Sequence, residues 1–159
     1  KELLESVLGS SAHVQRIVDI FKANRELMMV CSKSLYKDGR RNSIPETLRR
    51  TVELSRDVGI EENKLQSWGF AAGTMFWIRP QALSRLAGHM VGSAGYSKVF
   101  RQDGAIEHAL ERVIGMVISA KDGAMVGLAD RGRIEVTLAR TGMEEEGVSS
   151  TLRRLVAAQ

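Results

Sequence analysis

The chain has 159 residues, of which 43% are hydrophobic and 26% charged, with 23 Lys and Arg against 19 Asp and Glu. This composition excludes a disordered or low-complexity segment and fits one folded domain with a real core. There is no apolar run of about 18 residues that would form a transmembrane helix, and the single Cys31 excludes an internal disulfide framework and argues against a cysteine-based zinc site.

The chain opens on Lys1 with no methionine, already inside an apolar helical pattern of Leu3, Leu4, Val7 and Leu8. Two readings fit: the sequence begins inside a larger fold, or a disordered start is omitted. Ser10 and Ser11 then offer an N-cap for a helix whose apolar stripe is Val14, Ile17, Val18 and Phe21. Leu27 to Cys31 reads as a buried strand, and the polar stretch from Lys33 to Asn42 as a loop. Ser43 and Glu46 have capping-box spacing with Pro45 in the first turn, so a second helix is expected from Ser43 to about Gly59.

Thr74 to Ile78 alternates as a strand, with Met75 and Trp77 on one face and Thr74, Phe76 and Ile78 on the other. Pro80 opens an expected third helix through Ala82, Leu83, Leu86, Ala87 and Met90, followed by a loop with three glycines from Gly88 to Gly95. The clearest helix carries Ile106, Ala109, Leu110, Val113, Ile114 and Val117, and Asp103 is placed to cap it. Met125 to Leu128 and Arg133 to Ala139 read as a hairpin around Ala129 to Gly132, and a last helix is expected from Glu144 towards Arg153 and Arg154. The order is that of an α/β domain with few core strands, taken as 1–159 without an internal boundary.

Two segments concentrate the chemistry. Trp68 to Pro80 holds both tryptophans and two of the four phenylalanines of a chain that is only 5% aromatic. Its aromatic planes, beside Gly69 and Gly73, suit a sugar face or a base, or plain core packing. Residues 101–112 place His108 and Glu111 three apart, and His108 and Arg112 four apart, on one helix face. That is a base with an orienting partner, a weak metal signal, or a row of surface ion pairs. Lys33, Lys37, Arg40 and Arg41 form a basic stretch that suits phosphate contacts or, more often, plain solvated surface, and cations elsewhere are interleaved with acids, so no nucleic-acid partner is expected. There is no glycine-rich phosphate loop, no Asp-x-Asp and no nucleophile elbow. Cys31, in its apolar run, reads as a small buried hydrophobe.

The segment Gly69-Phe-Ala-Ala-Gly-Thr-Met-Phe-Trp-Ile-Arg-Pro-Gln-Ala-Leu83 resembles a signature of the rhamnan synthesis protein F family of bacterial polysaccharide-assembly proteins. Gln102-Asp-Gly-Ala-Ile-Glu-His-Ala-Leu-Glu-Arg112 is similar to a second motif of that family about twenty residues later, and Leu3 to Ser10 resembles its opening passage. Ala71, Thr74 and Ala105 stand where the family pattern has Pro, Ser and Thr, and no acidic residue lies just ahead of Gln102. The resemblance covers roughly residues 3–118 and implies the C-terminal, acceptor-side part of a nucleotide-diphospho-sugar transferase-like (GT-A-like) α/β sheet with flanking helices. It implies sugar transfer, rhamnose included, from a nucleotide-sugar donor to a cell-surface polysaccharide or lipopolysaccharide. Asp103, His108 and Glu111 are then expected as catalytic residues. Gly73, Thr74, Met75, Trp77, Arg79, Gln102 and Arg112 are expected to bind substrate. No metal ligand and no cofactor are expected in this chain, with the donor held by the rest of the protein. The expected setting is cytoplasmic, at the inner face of a membrane, with a carbohydrate acceptor and other glycan-assembly proteins as partners. The competing expectation is a non-catalytic glycan- or polyanion-binding module in an assembly complex.

Overall fold

The computed structural model describes residues 2–65, 67–87, 105–121, 123–128 and 137–138. It is a mixed α/β arrangement with two small sheets. The chain runs through α1 (Glu2–Val7), α2 (Ser11–Ala23), β1 (Leu27–Ser32), β2 (Tyr36–Asp38), α3 (Pro45–Asp57), β3 (Gly69–Ala71), β4 (Phe76–Ile78), α4 (Ser84–Ala87), α5 (Ile106–Ser119), β5 (Ala124–Leu128) and β6 (Thr137–Leu138). The larger sheet has the order β4-β1-β5-β6, with β1 parallel to β5 and both outer pairings antiparallel; β2 and β3 form a separate antiparallel ribbon. The hairpin expected near residues 125–139 corresponds to β5 and β6, which pair through Val126 and Leu138. Among the described residues no helix is long and apolar enough to cross a membrane.

Local chemistry explains most boundaries. Ser10 caps α2, its hydroxyl accepting the His13 N–H at 3.2 Å. Helix α3 ends at Gly59, whose φ of 74° is left-handed. The Gly59 N–H donates to Arg56 O and the Ile60 N–H to Ser55 O, at 2.9 and 2.8 Å, which is a Schellman ending. Central strand β1 is buried almost throughout, as a strand with neighbours on both edges should be.

Four expectations are corrected. Ser43 does not cap α3: the cap position is Ile44, because the Ser43 hydroxyl donates to Gly39 O at 2.6 Å and Glu46 pairs with Arg50 at 3.0 Å. The stretch 33–42 is not all loop, since residues 33–35 form a 3-10 turn and Tyr36–Asp38 pairs with Gly69–Ala71. Thr74 is not in a strand; its φ of 55° puts it in a turn, and β4 starts two residues later. Pro80 opens a 3-10 turn over Pro80–Leu83, and α-helix begins only at Ser84. The glycine loop of residues 88–95, the Asp103 cap, the turn at residues 129–132 and the helix near residues 144–154 lie outside the described residues.

Helix α5 organises the core. Its Val113, Met116 and Val117 pack with Trp68, Phe70, Ile60 and Leu86, while Ile118 enters a second cluster with Met29, Cys31, Ala71 and Met125. Ile114 touches both clusters. The helix lies unusually close to β3, and a side-chain carbon added to Gly115 would sit 1.9 Å from Gly69 O. Helix α3 also packs on α5. Its buried positions are Thr47, Thr51 and Ser55, and the last two turn their hydroxyls back to their own helix, at 2.7 and 2.9 Å.

Gly115→Ala gains up to about 1 kcal/mol in helix propensity but drives a methyl into a backbone carbonyl, so it should lower stability by about 1–3 kcal/mol in urea unfolding. Burial also pushes the Cys31 thiol up from 9.0 to about 12, and burial together with Asp38 and Cys31 pushes Tyr36 from 10.0 to about 12. Both groups fold in their neutral form. Their contribution is complete below the unfolded values and is lost as pH rises from about 9 towards 12, because the unfolded chain ionises first. The urea midpoint should therefore fall over that range, and Cys31 should resist iodoacetamide at pH 8 until the chain is unfolded.

Candidate functional site

A cleft of about 450 Å³ opens between the first turns of α5, the β2–β3 ribbon and the turn that follows β3. From α5 it is lined by Glu107, His108, Glu111 and Arg112. Periodicity explains the set, since 107 and 111, and 108 and 112, are each one turn apart. The ribbon contributes Lys37 and Phe70, which are cross-strand partners. Ala72, Gly73 and Thr74 form the turn side, and Asn42 closes the remainder.

Arg112 is 4% exposed. Its Nε donates to Ser43 Oγ at 2.6 Å, Nη1 to His108 O at 2.9 Å and Nη2 to Asn42 O at 2.8 Å. Its guanidinium lies 4.4 Å from the centre of the Phe70 ring. Glu111, with a side chain 10% exposed, lies 3.9 Å from Arg112 Nη1. Its Oε1 accepts from both the Thr74 N–H and the Thr74 hydroxyl, each at 2.9 Å. Thr74 follows Gly73, at φ 85°, and is itself left-handed at φ 55°. For a β-branched residue that conformation costs about 1–3 kcal/mol unless its surroundings hold it. His108 Nδ1 is buried and has no hydrogen-bond partner among the described residues. The His108 ring lines the cleft, but Nδ1 itself is shielded from solvent, so a ligand hydroxyl reaches it only if the ring turns.

The expected site residues divide by location. His108, Glu111, Arg112, Gly73 and Thr74 come together in the cleft. Trp77 and Arg79 are placed elsewhere. Trp77 Nε1 donates to Val7 O at 2.7 Å. Arg79 stacks on Phe21 and donates to Leu27 O at 2.7 Å, to Asn24 O at 2.9 Å and to Phe21 O, closing the carbonyl end of α2. Met75 is half-buried and outside the cleft lining. Asp103 and Gln102 lie outside the described residues. Sequence reading did not assign Lys37, Asn42, Phe70, Ala72 and Glu107 to the site. Lys37 is brought there by a three-residue strand whose pattern, Tyr-Lys-Asp, is too short to announce itself. Among the described residues no group of three or more His, Cys, Asp and Glu is arranged to hold a metal ion.

The family model described as "Rhamnan synthesis protein F" matches residues 2–122. The chain belongs to the rhamnan synthesis protein F family. The match spans the whole cleft lining, from Lys37 to Arg112. Membership in the rhamnan synthesis protein F family ties the chain to rhamnan polysaccharide synthesis. No curated protein and no solved structure matches the chain.

Arg79 separates motif from cleft in a way that can be measured. Arg79→Met keeps the aliphatic stem but takes the guanidinium donors away from three carbonyls, so it should destabilise the fold by about 2–4 kcal/mol in urea unfolding. A variant as stable as the wild type would show that the guanidinium is not what holds the end of α2.

Proposed function

We propose that the chain is the acceptor-side part of a glycosyltransferase-like protein, with a nucleotide-diphospho-sugar transferase type of sheet, that adds a sugar such as rhamnose to a growing cell-surface polysaccharide or lipopolysaccharide. One observation carries the reading: this member of a family linked to rhamnan synthesis has at its motif residues a cleft with mixed, balanced polar chemistry. The cleft wall holds Lys37 and Arg112 against Glu107 and Glu111, together with an aromatic ring, a threonine and a histidine. Such a lining suits a neutral, hydroxyl-rich ligand. It suits a polyanion poorly, because that would meet two acids and only two cations, one of them already bonded within the protein.

In this reading the acceptor hydroxyl lies against His108 and the Phe70 side of the cleft. Its oxygen bonds to the anomeric carbon of the donor sugar as the nucleoside diphosphate leaves, and the proton passes to a carboxylate. Asp103 is the proposed acceptor of that proton; in sequence it stands three residues before the first residue of α5. The nucleotide-sugar donor would be held by protein outside this chain, with the transfer taking place at the cytoplasmic face of the membrane alongside other glycan-assembly proteins.

The test is transfer of labelled sugar from a nucleotide donor to a rhamnan oligosaccharide by the full-length protein. Asp103→Asn should lower transfer by about 100-fold or more with oligosaccharide affinity retained. His108→Ala should weaken that affinity. Unchanged transfer by a folded Asp103→Asn protein removes Asp103 from the role, and a wild-type protein that neither binds nor extends the oligosaccharide removes the carbohydrate reading.

A further inference from the structure

The two hydrogen bonds from Thr74 to Glu111 carry an inference that rests on the carbohydrate reading of the cleft and assigns Glu111 a role other than proton transfer. Glu111 Oε1 accepts twice from one residue 37 positions earlier, through the backbone N–H and the side-chain hydroxyl. That residue is exposed, β-branched and left-handed, a combination that the turn would not favour unaided. The other hydrogen bond of the Thr74 N–H, to Ala71 O, is long at 3.4 Å. On the other side of Glu111, Oε2 faces the Arg112 guanidinium, itself fixed by Asn42, Ser43 and His108. The carboxylate is therefore held between a rigid cation and the turn. An oxygen committed to two donors is a poor proton acceptor, while its geometry sets where Gly73 and Thr74 stand over the cleft.

We propose that Glu111 is a positioning residue: it latches the Gly73–Thr74 turn in its left-handed conformation and so fixes the mouth of the cleft for the carbohydrate. A latch requires an acceptor oxygen at Oε1 and two donors at residue 74, whereas proton transfer requires the carboxylate itself. The conservative variants separate the two.

The experiment reads hydrogen exchange of the Thr74 amide together with affinity and transfer for a rhamnan oligosaccharide in the full-length protein. Glu111→Gln keeps the acceptor, and Thr74→Ser keeps both donors, so exchange, affinity and transfer should stay within about threefold of wild type. Glu111→Ala removes both hydrogen bonds; loss of the amide one should speed Thr74 exchange about tenfold, and the oligosaccharide should weaken by a similar factor. Thr74→Val, at an exposed position that leaves the core intact, removes only the hydroxyl and should weaken the oligosaccharide several-fold. Wild-type exchange at Thr74 in Glu111→Ala overturns the latch. Loss of transfer in Glu111→Gln, with exchange and affinity intact, overturns the positioning role in favour of proton transfer. If the wild type has no affinity for the oligosaccharide, the carbohydrate reading fails, and the exchange in Glu111→Ala still decides the latch by itself.

Discussion

A guanidinium is expensive to remove from water, and Arg112 is almost entirely removed from it. What makes the arrangement stable is the supply of acceptors from several elements at once: Asn42 and Ser43 ahead of α3, and a carbonyl of α5 itself. The ring of Phe70 in β3 covers one face, and Glu111 supplies a nearby opposite charge. Loss of any one partner leaves a buried cation less compensated, so the loop before α3, the ribbon and α5 are constrained to move together or not at all. The cleft lies over this junction, and its walls inherit that rigidity.

The same junction explains which parts of the fold were legible in the sequence. Signals that act within one turn of chain were readable: the Ser10 cap, the Gly59 stop and the apolar stripe of α5 all stand where their chemistry places them. Signals that depend on a distant partner were not. Ser43 looks like a cap but spends its hydroxyl on Gly39 and on Arg112, the latter from 69 residues away. Tyr36–Asp38 looks like loop because its strand character comes from pairing with Gly69–Ala71, not from its own residues. Thr74 has strand propensity, and Glu111 together with Gly73 overrides it.

The site shows the same division. The segment containing His108, Glu111 and Arg112 stood out because helical spacing alone groups its side chains, and those residues do share one cleft. The aromatic segment split instead. Its turn, Ala72 to Thr74, and its Phe70 face the cleft, whereas Trp77 and Arg79 brace the ends of α1 and α2. A short motif can thus hold two jobs, one for the ligand and one for the frame, because the left-handed Gly73–Thr74 turn carries the chain from the β2–β3 ribbon into the larger sheet.

The sheet order has a consequence for how the protein comes into being. The parallel pairing at its centre joins Leu27–Ser32 to Ala124–Leu128. At ribosomal speeds the earlier strand waits on the order of ten seconds for its partner to be synthesised. Throughout that time a strand made of Leu, Met, Met, Val, Cys and Ser offers an open row of amides and carbonyls on that edge. β4 can occupy the opposite edge much sooner, through the Met29–Ile78 to Cys31–Phe76 register. The nascent chain is thus half-protected, and its most aggregation-prone interval ends only when the last part of the sheet arrives.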